Sequence, residues 1–259
     1  MSARLPAIAV AAAIAFGTFS TAAPAEVAQK GSLRVKFDGR LKPKRLPRLG
    51  TSPVAVSIAG RITTTDGSEP PQLRRIEIEI NRHGRIDFEG LPVCRLEEIQ
   101  PSTTENALAA CRASKVGEGS FSANVAIPGQ TPFPSRGKLV AFNGREAGRP
   151  VIFAHVYGTD PVPTSFTLPF AIARSRGTFA TTLSAALPDV TGKAGFVTGI
   201  RLNLQRSFRR GGRSHGYLSA GCPAPPGFPG AVFPLLRARF GFAGGISLGE
   251  TLVRNCKVR

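Results

Sequence analysis

The chain has 259 residues, with 34 Lys plus Arg against 16 Asp plus Glu and a formal net charge of +18. It is long enough to bury a core as one large or two small domains, and after residue 25 no stretch approaches the ~18–20 continuous apolar residues of a membrane-spanning helix. The composition thus speaks against a helical membrane protein, while the charge serves solubility and favours polyanionic partners through counterion release and long-range attraction.

The first twenty-five residues read as an export signal. Arg4 supplies the positive start, Ala7 to Phe19 a short apolar core, and Ala23-Pro24-Ala25 a small-residue cleavage site. The mature chain is expected to begin near Glu26, outside the cytosol, and to keep a net charge of +17 once Arg4 is lost. The first cysteine is Cys94, far from that site, so a lipid anchor there is not expected.

Residues 26–50 form a basic strand and connector. Between 30 and 48 there are eight basic residues against Asp38 alone, and Leu33, Val35 and Phe37 alternate with Arg34, Lys36 and Asp38. That period of two predicts a half-buried strand, and Pro43 and Pro47 keep the connector from being helical. Lys and Arg on such a strand also serve to protect an exposed sheet edge. The alternation recurs in Val54-Val56-Ile58, Ile76-Ile78-Ile80 and Phe121-Ala123-Val125-Ile127, then less regularly to Val253. Asp66-Gly67, Asn143-Gly144 and Gly244-Gly245 read as hairpin dipeptides. Roughly ten strands at short spacing predict an all-β fold, most simply an antiparallel β-sandwich over 51–259, with a lobe boundary near 128–136 where Pro and Gly cluster.

One helical insertion is predicted near 102–112, because Ser102-Thr103-Thr104-Glu105 matches a capping box and precedes an Ala- and Leu-rich run. Cys94, Cys111, Cys222 and Cys256 form an even set in a chain that reads as exported, where disulfides persist. Three pairings are possible. Without CxxC spacing or a neighbouring His, no metal site is expected, and no cofactor either.

Several constellations bear on chemistry. Gly212-Arg213-Ser214-His215-Gly216 fits G-x-S-x-G, but Pro- and Gly-rich sequence follows instead of a helix, and no acid-then-histidine order lies downstream. Glu77 and Glu79, two apart on one strand, are the candidate acids of a carbohydrate hydrolase; a solvated strand face produces the same spacing. His83, Asp87 and Glu89 form a local polar cluster beside a turn, and His155 lies in an apolar run near Asp160. Most suggestive is the span 190–249, which contains no Asp or Glu but carries Arg206, Arg209, Arg210 and Arg213 among its basic residues. Guanidinium groups grip phosphate or carboxylate bidentately, so these four are the candidate anion-binding residues. No nucleic-acid-binding motif is present, and a specific nucleic-acid partner is not expected.

Residues 217–228, running Tyr-Leu-Ser-Ala-Gly-Cys-Pro-Ala-Pro-Pro-Gly-Phe, together with Phe233 and the final Leu252-Val253-Arg254-Asn255-Cys256, resemble the C-terminal portion of a group of exported bacterial proteins. A looser similarity runs through Gly60-Arg61, Gln72 to Ile76 and Leu91 to Cys94. The resemblance implies two disulfides, Cys94 with Cys111 and Cys222 with Cys256, and brings no activity with it. The reading that follows is an exported structural or binding protein of the envelope or extracellular space, contacting an anionic polymer or surface. A secreted hydrolase and a β module that docks a protein are the alternatives.

Overall fold

The computed structural model describes residues 25–126, 129–160, 163–187 and 195–259; the export-signal segment up to residue 24 lies outside them. In chain order the elements are β1 Glu26–Lys30, β2 Leu33–Lys42, β3 Arg45–Leu46, β4 Ser52–Pro53, β5 Ala55–Thr64, β6 Leu73–Asn81 and β7 Gly84–Ile86, then the helices α1 Leu96–Ile99 and α2 Thr104–Cys111. They continue with β8 Lys115–Val125, β9 Phe133–Glu146, β10 Arg149–Gly158, β11 Thr164–Arg174, β12 Phe179–Ala186, β13 Gly195–Leu204, β14 Ser207–Arg210, β15 Arg213–Gly216, β16 Leu218–Ala220, β17 Gly230–Phe242 and β18 Ser247–Val258.

The fold is all-β, as the alternation predicts. Where two stacked sheets are the simplest expectation, thirteen strands join one continuous sheet in the order β1-β2-β5-β13-β8-β9-β10-β11-β12-β6-β17-β18-β3. Every pairing in it is antiparallel except the short β18–β3 contact. The described part of the Pro and Gly cluster, residues 129–136, leads into and begins β9, which pairs antiparallel with β8 in the sheet; residue 128 lies outside the described residues.

This sheet curls until its edges meet. Arg254 on β18 donates to the carboxylates of Glu26 on β1 at 3.1 Å and Asp38 on β2 at 3.0 Å, and to the Gly39 carbonyl at 2.9 Å. The chain itself crosses the same seam: two residues after β2, it forms β3, which pairs with the far edge at Lys257 and Val258. Across the interior, Phe37 of β2 meets Phe240 of β17 edge to face, with ring centroids 5.8 Å apart.

Period-two alternation then sorts the side chains. Val35, Phe37, Ile76, Ile78, Leu236, Ala238 and Phe240 point inward and are buried. Arg34, Lys36, Glu77, Glu79, Arg237 and Arg239 alternate with them and face out. An apolar interior inside a charged wall is the inverse of a membrane-spanning barrel. The interior retains two apolar voids, about 90 and 70 Å³, that share Ile58, Ile78, Leu183 and Leu204 as lining. At one end a small sheet in the order β4-β16-β7 packs on the barrel through Val54, Ile86, Leu218 and Ala220.

β9 and β10 are buried on both faces over their central residues, which explains their unbroken apolar runs. Leu139, Ala141, Ile152 and Ala154 belong to the inward set. Val140, Phe142, Val151 and Phe153 face outward under the helical insertion, packing with Ile99, Ala107 and the Cys94–Cys111 disulfide. That insertion has two short helices. α2 is capped by Thr103, whose hydroxyl accepts from the Asn106 N–H at 3.2 Å, one residue later than the Ser102 box predicts. α1 lies outside the predicted span, and Glu98 reaches back to accept from the Arg95 N–H at 2.7 Å.

Asn143-Gly144 is not a turn. Both residues lie inside β9, and the hairpin turns at Ala147-Gly148. The Asn143 side chain donates to the carbonyls of Phe88, Leu91 and Pro92 at 3.0–3.4 Å, anchoring the segment that leads into the insertion. A Cβ at Gly144 would lie 2.3 Å from the Phe153 ring, so the glycine answers to close approach. The Gly244-Gly245 dipeptide, by contrast, does connect β17 to β18.

The second disulfide, Cys222–Cys256, ties the Pro-rich segment after β16 to β18. Both bridges are those implied by the resemblance. Their sequence separations of 17 and 34 residues correspond to about 3 and about 4 kcal/mol on the loop-entropy estimate. Arg48 fastens the same segment, donating to the carbonyls of Ala224, Pro225 and Phe228.

Two outcomes test this fold. Arg254→Ala leaves Glu26 without its arginine and Asp38 with Arg40 alone at the seam, and is expected to lower stability by about 2 kcal/mol, read as a fall in urea midpoint without a change in slope. His155, fully buried on β10 beneath α1, has its pKa depressed, chiefly by burial. A neutral buried imidazole contributes stability that is present above the unfolded value of about 6.5 and is lost as pH falls through the lower folded value. The drop in melting temperature from about pH 7.5 to about 5.5 is expected to shrink in His155→Leu; an unchanged drop would assign it to other groups.

Candidate anion-binding cleft

β14 and β15 form a two-stranded ribbon that stands apart from both sheets, closed by Gly211-Gly212, whose φ angles of 57° and 74° suit a tight turn with both central residues left-handed. Far from swinging freely, it is docked at its base. The Tyr217 N–H donates to the Arg206 carbonyl at 2.8 Å, and the Tyr217 carbonyl accepts from the Asp87 N–H at 2.8 Å. Tyr217 itself is fully buried. Phe208 lies against Gly90, where any side chain would collide with the ring, and stacks on His215 at 5.7 Å between centroids.

Between this ribbon and the β7 segment lies a cleft of about 520 Å³, within the range of small-molecule sites. Arg85, Arg174, Arg210, Arg213 and His215 line it, with Asp87 and Glu89 as the acidic members. Arg210 and Arg213 are directly opposed in the ribbon register, a like-charge pairing that costs free energy. Asp87 offsets part of this by accepting from Arg210 at 3.2 Å. Among the described residues, no ion pair holds Arg85, Arg174 or Arg213. Arg174 rests over the Phe88 ring at 5.5 Å, leaving its N–H groups free to turn to a ligand.

Of the four arginines singled out in the sequence, two line this cleft. Arg206 donates to the Ala113 carbonyl at 3.4 Å, toward the turn that follows α2. Arg209 is exposed and, by the two-residue period of β14, projects from the opposite face to Arg210. Arg85 and Arg174 escape a reading of the sequence because they come from β7 and β11, 89 residues apart, and only the fold unites them with the ribbon.

The other candidates are placed as follows. Ser214 is exposed on a strand of the ribbon, not on a strand-to-helix elbow. Glu77 and Glu79 stand opposite Arg239 and Arg237 in register. Arg239 donates to Glu77 at 2.9 Å and Arg237 to Glu79 at 2.8 Å, and the hydrogen bond from Arg237 holds the Glu79 carboxyl below its ordinary range. Asp87 is engaged by Arg210, and His83, Asp87 and Glu89 do not converge as a metal-ligand set among the described residues. His155 is a packing residue, its Nδ1 3.4 Å from the Thr167 hydroxyl; Asp160 contributes its carbonyl to Ser135 at 2.6 Å.

Comparison with protein-family models, with curated proteins and with solved structures finds no match to this chain.

Asp87→Asn removes the counter-charge between the two opposed arginines. It is expected to lower stability at low ionic strength by about 0.5 kcal/mol, and the deficit should close in high salt because the repulsion is screened. A deficit that persists at high salt would place the role of Asp87 elsewhere than in charge balance.

Proposed function

We propose that this is an exported, non-enzymatic binding protein of the cell envelope or extracellular space, which holds anionic polymers or surfaces through the arginine cleft. The observation that carries the reading is the convergence of Arg85, Arg174 and Arg213 on one cleft without acidic partners among the described residues. The opposed Arg210 and Arg213 on a docked ribbon, only partly offset by Asp87, cost folding free energy, and a bound phosphate or carboxylate would relieve that cost with bidentate hydrogen bonds. Two formed disulfides accord with an oxidising environment outside the cytosol. The hydrolase alternative draws less support, because Glu77 and Glu79 are each tied to an arginine.

Binding to immobilised polyphosphate and to an immobilised uronic-acid polymer, measured across a salt series, tests the reading. The logarithm of the binding constant is expected to fall linearly with the logarithm of salt concentration, with no retention on neutral dextran. Arg210→Ala/Arg213→Ala should flatten that slope by about one unit for each anionic group left without its arginine. Salt-insensitive binding, or none at low salt, would overturn it.

A further inference from the structure

A second basic surface lies on the outer wall of the barrel, away from the ribbon. The strand registers build it in two rows. One runs Lys36, Arg61, Gly199, Ser122, Arg136 across β2, β5, β13, β8 and β9; the next runs Asp38, Ala59, Arg201, Ser120, Lys138 across the same strands. At ~4.8 Å per strand the rows extend about 19 Å, and they lie about 7 Å apart. A groove of about 1020 Å³ follows them. Its floor is made of small residues, Ala59, Gly199, Ser120 and Ser122, and long basic side chains rise around it.

Lys36, Arg61, Arg136 and Arg201 are exposed and form no ion pair among the described residues. The two carboxylates at the groove are already engaged: Asp38 by Arg254 and Arg40, Glu69 by the Asn124 amide at 3.1 and 3.2 Å.

We infer that this groove is a track for an acidic polysaccharide chain, a uronic-acid polymer. This goes beyond the cleft reading and shares with it only the attraction to anions. The strand spacing is close to the advance of one pyranose ring along an extended chain, so its carboxylates come within reach of Lys36 on β2, Arg61 on β5, Arg201 on β13 and, past the serines of β8, Arg136 on β9. Beside those cations the Ser120 and Thr63 hydroxyls supply donors and acceptors to ring hydroxyls, and Ser122, which accepts from Thr198 at 3.1 Å and donates to the Gly199 carbonyl at 3.5 Å, keeps acceptor capacity; a fully ionised phosphate has no proton to give such acceptors. Single-stranded nucleic acid would call for exposed aromatic platforms, and the one aromatic residue among those described at the groove, Phe121, is turned inward against Phe166 at 5.4 Å.

The test uses the full chain and four probes: a short oligogalacturonate, its methyl ester, polyphosphate and oligothymidylate. Oligogalacturonate is expected to bind, and its affinity to drop about tenfold in each of Arg61→Ala and Arg201→Glu. Ser120→Ile, at an exposed position, fills the floor without changing charge and should weaken oligogalacturonate by a similar factor while leaving polyphosphate binding unchanged. Arg210→Ala/Arg213→Ala should weaken polyphosphate and spare oligogalacturonate. Equal binding of the ester, tighter binding of oligothymidylate at this surface, or indifference of oligogalacturonate to all three groove variants would overturn the inference. Loss of oligogalacturonate only in the ribbon variant would overturn it while leaving the cleft reading standing.

Discussion

A thirteen-stranded sheet has two edges, and the structure depends on how they are brought together around Arg254. One guanidinium, 11% exposed, satisfies two carboxylates and a backbone carbonyl from the opposite edge. Unpaired edges invite association with other chains, and closing the sheet removes most of them. The same closure gives the sheet an inside, so that one face of nearly every strand is dry and the other wet. Among the described residues no Asp, Glu, Lys or Arg is buried in the interior, and the charge of the strands lies on the outer wall, including the unpaired cations of the groove.

Charge on that wall is arranged in two different ways. Across β6 and β17 the acids and bases alternate in register, and each carboxylate finds an arginine. Across β2, β5, β13, β8 and β9 the cations are interleaved with Gly, Ala and Ser and find none. A ladder of matched pairs stabilises the sheet and offers little to a partner; a row of unmatched cations over a small-residue floor contributes nothing to folding and leaves its hydrogen-bonding capacity to a ligand. The ribbon cleft follows the second pattern at shorter range, with Asp87 as partial compensation.

Much of this was legible along the chain. The period-two runs mark the strands, the Ser102 capping box marks α2 one residue early, and the acid-free span marks the ribbon as a place where guanidinium groups gather. The structure departs from a local signal where distant contacts override it. Asn143-Gly144 has turn chemistry, yet its amide is needed to hold three carbonyls from residues 88–92 and its glycine makes room for Phe153. Glu77 and Glu79 have the spacing of an acid pair, yet their partners come from a strand some 160 residues later. Arg48 adds to the basic count of the connector, yet it is taken up by the carbonyls after Cys222.

The sequence by itself determined the strand class, the basic balance and the even set of cysteines, because alternation, charge and spacing are local properties of a chain. It left the cysteine pairing open among three possibilities until the resemblance narrowed it. Only the tertiary structure decided that the strands make one curled sheet, which cations are neutralised and which are left facing the solvent. Those outcomes turn on register between strands distant in sequence, and a shift of a single residue would exchange the inner and outer faces.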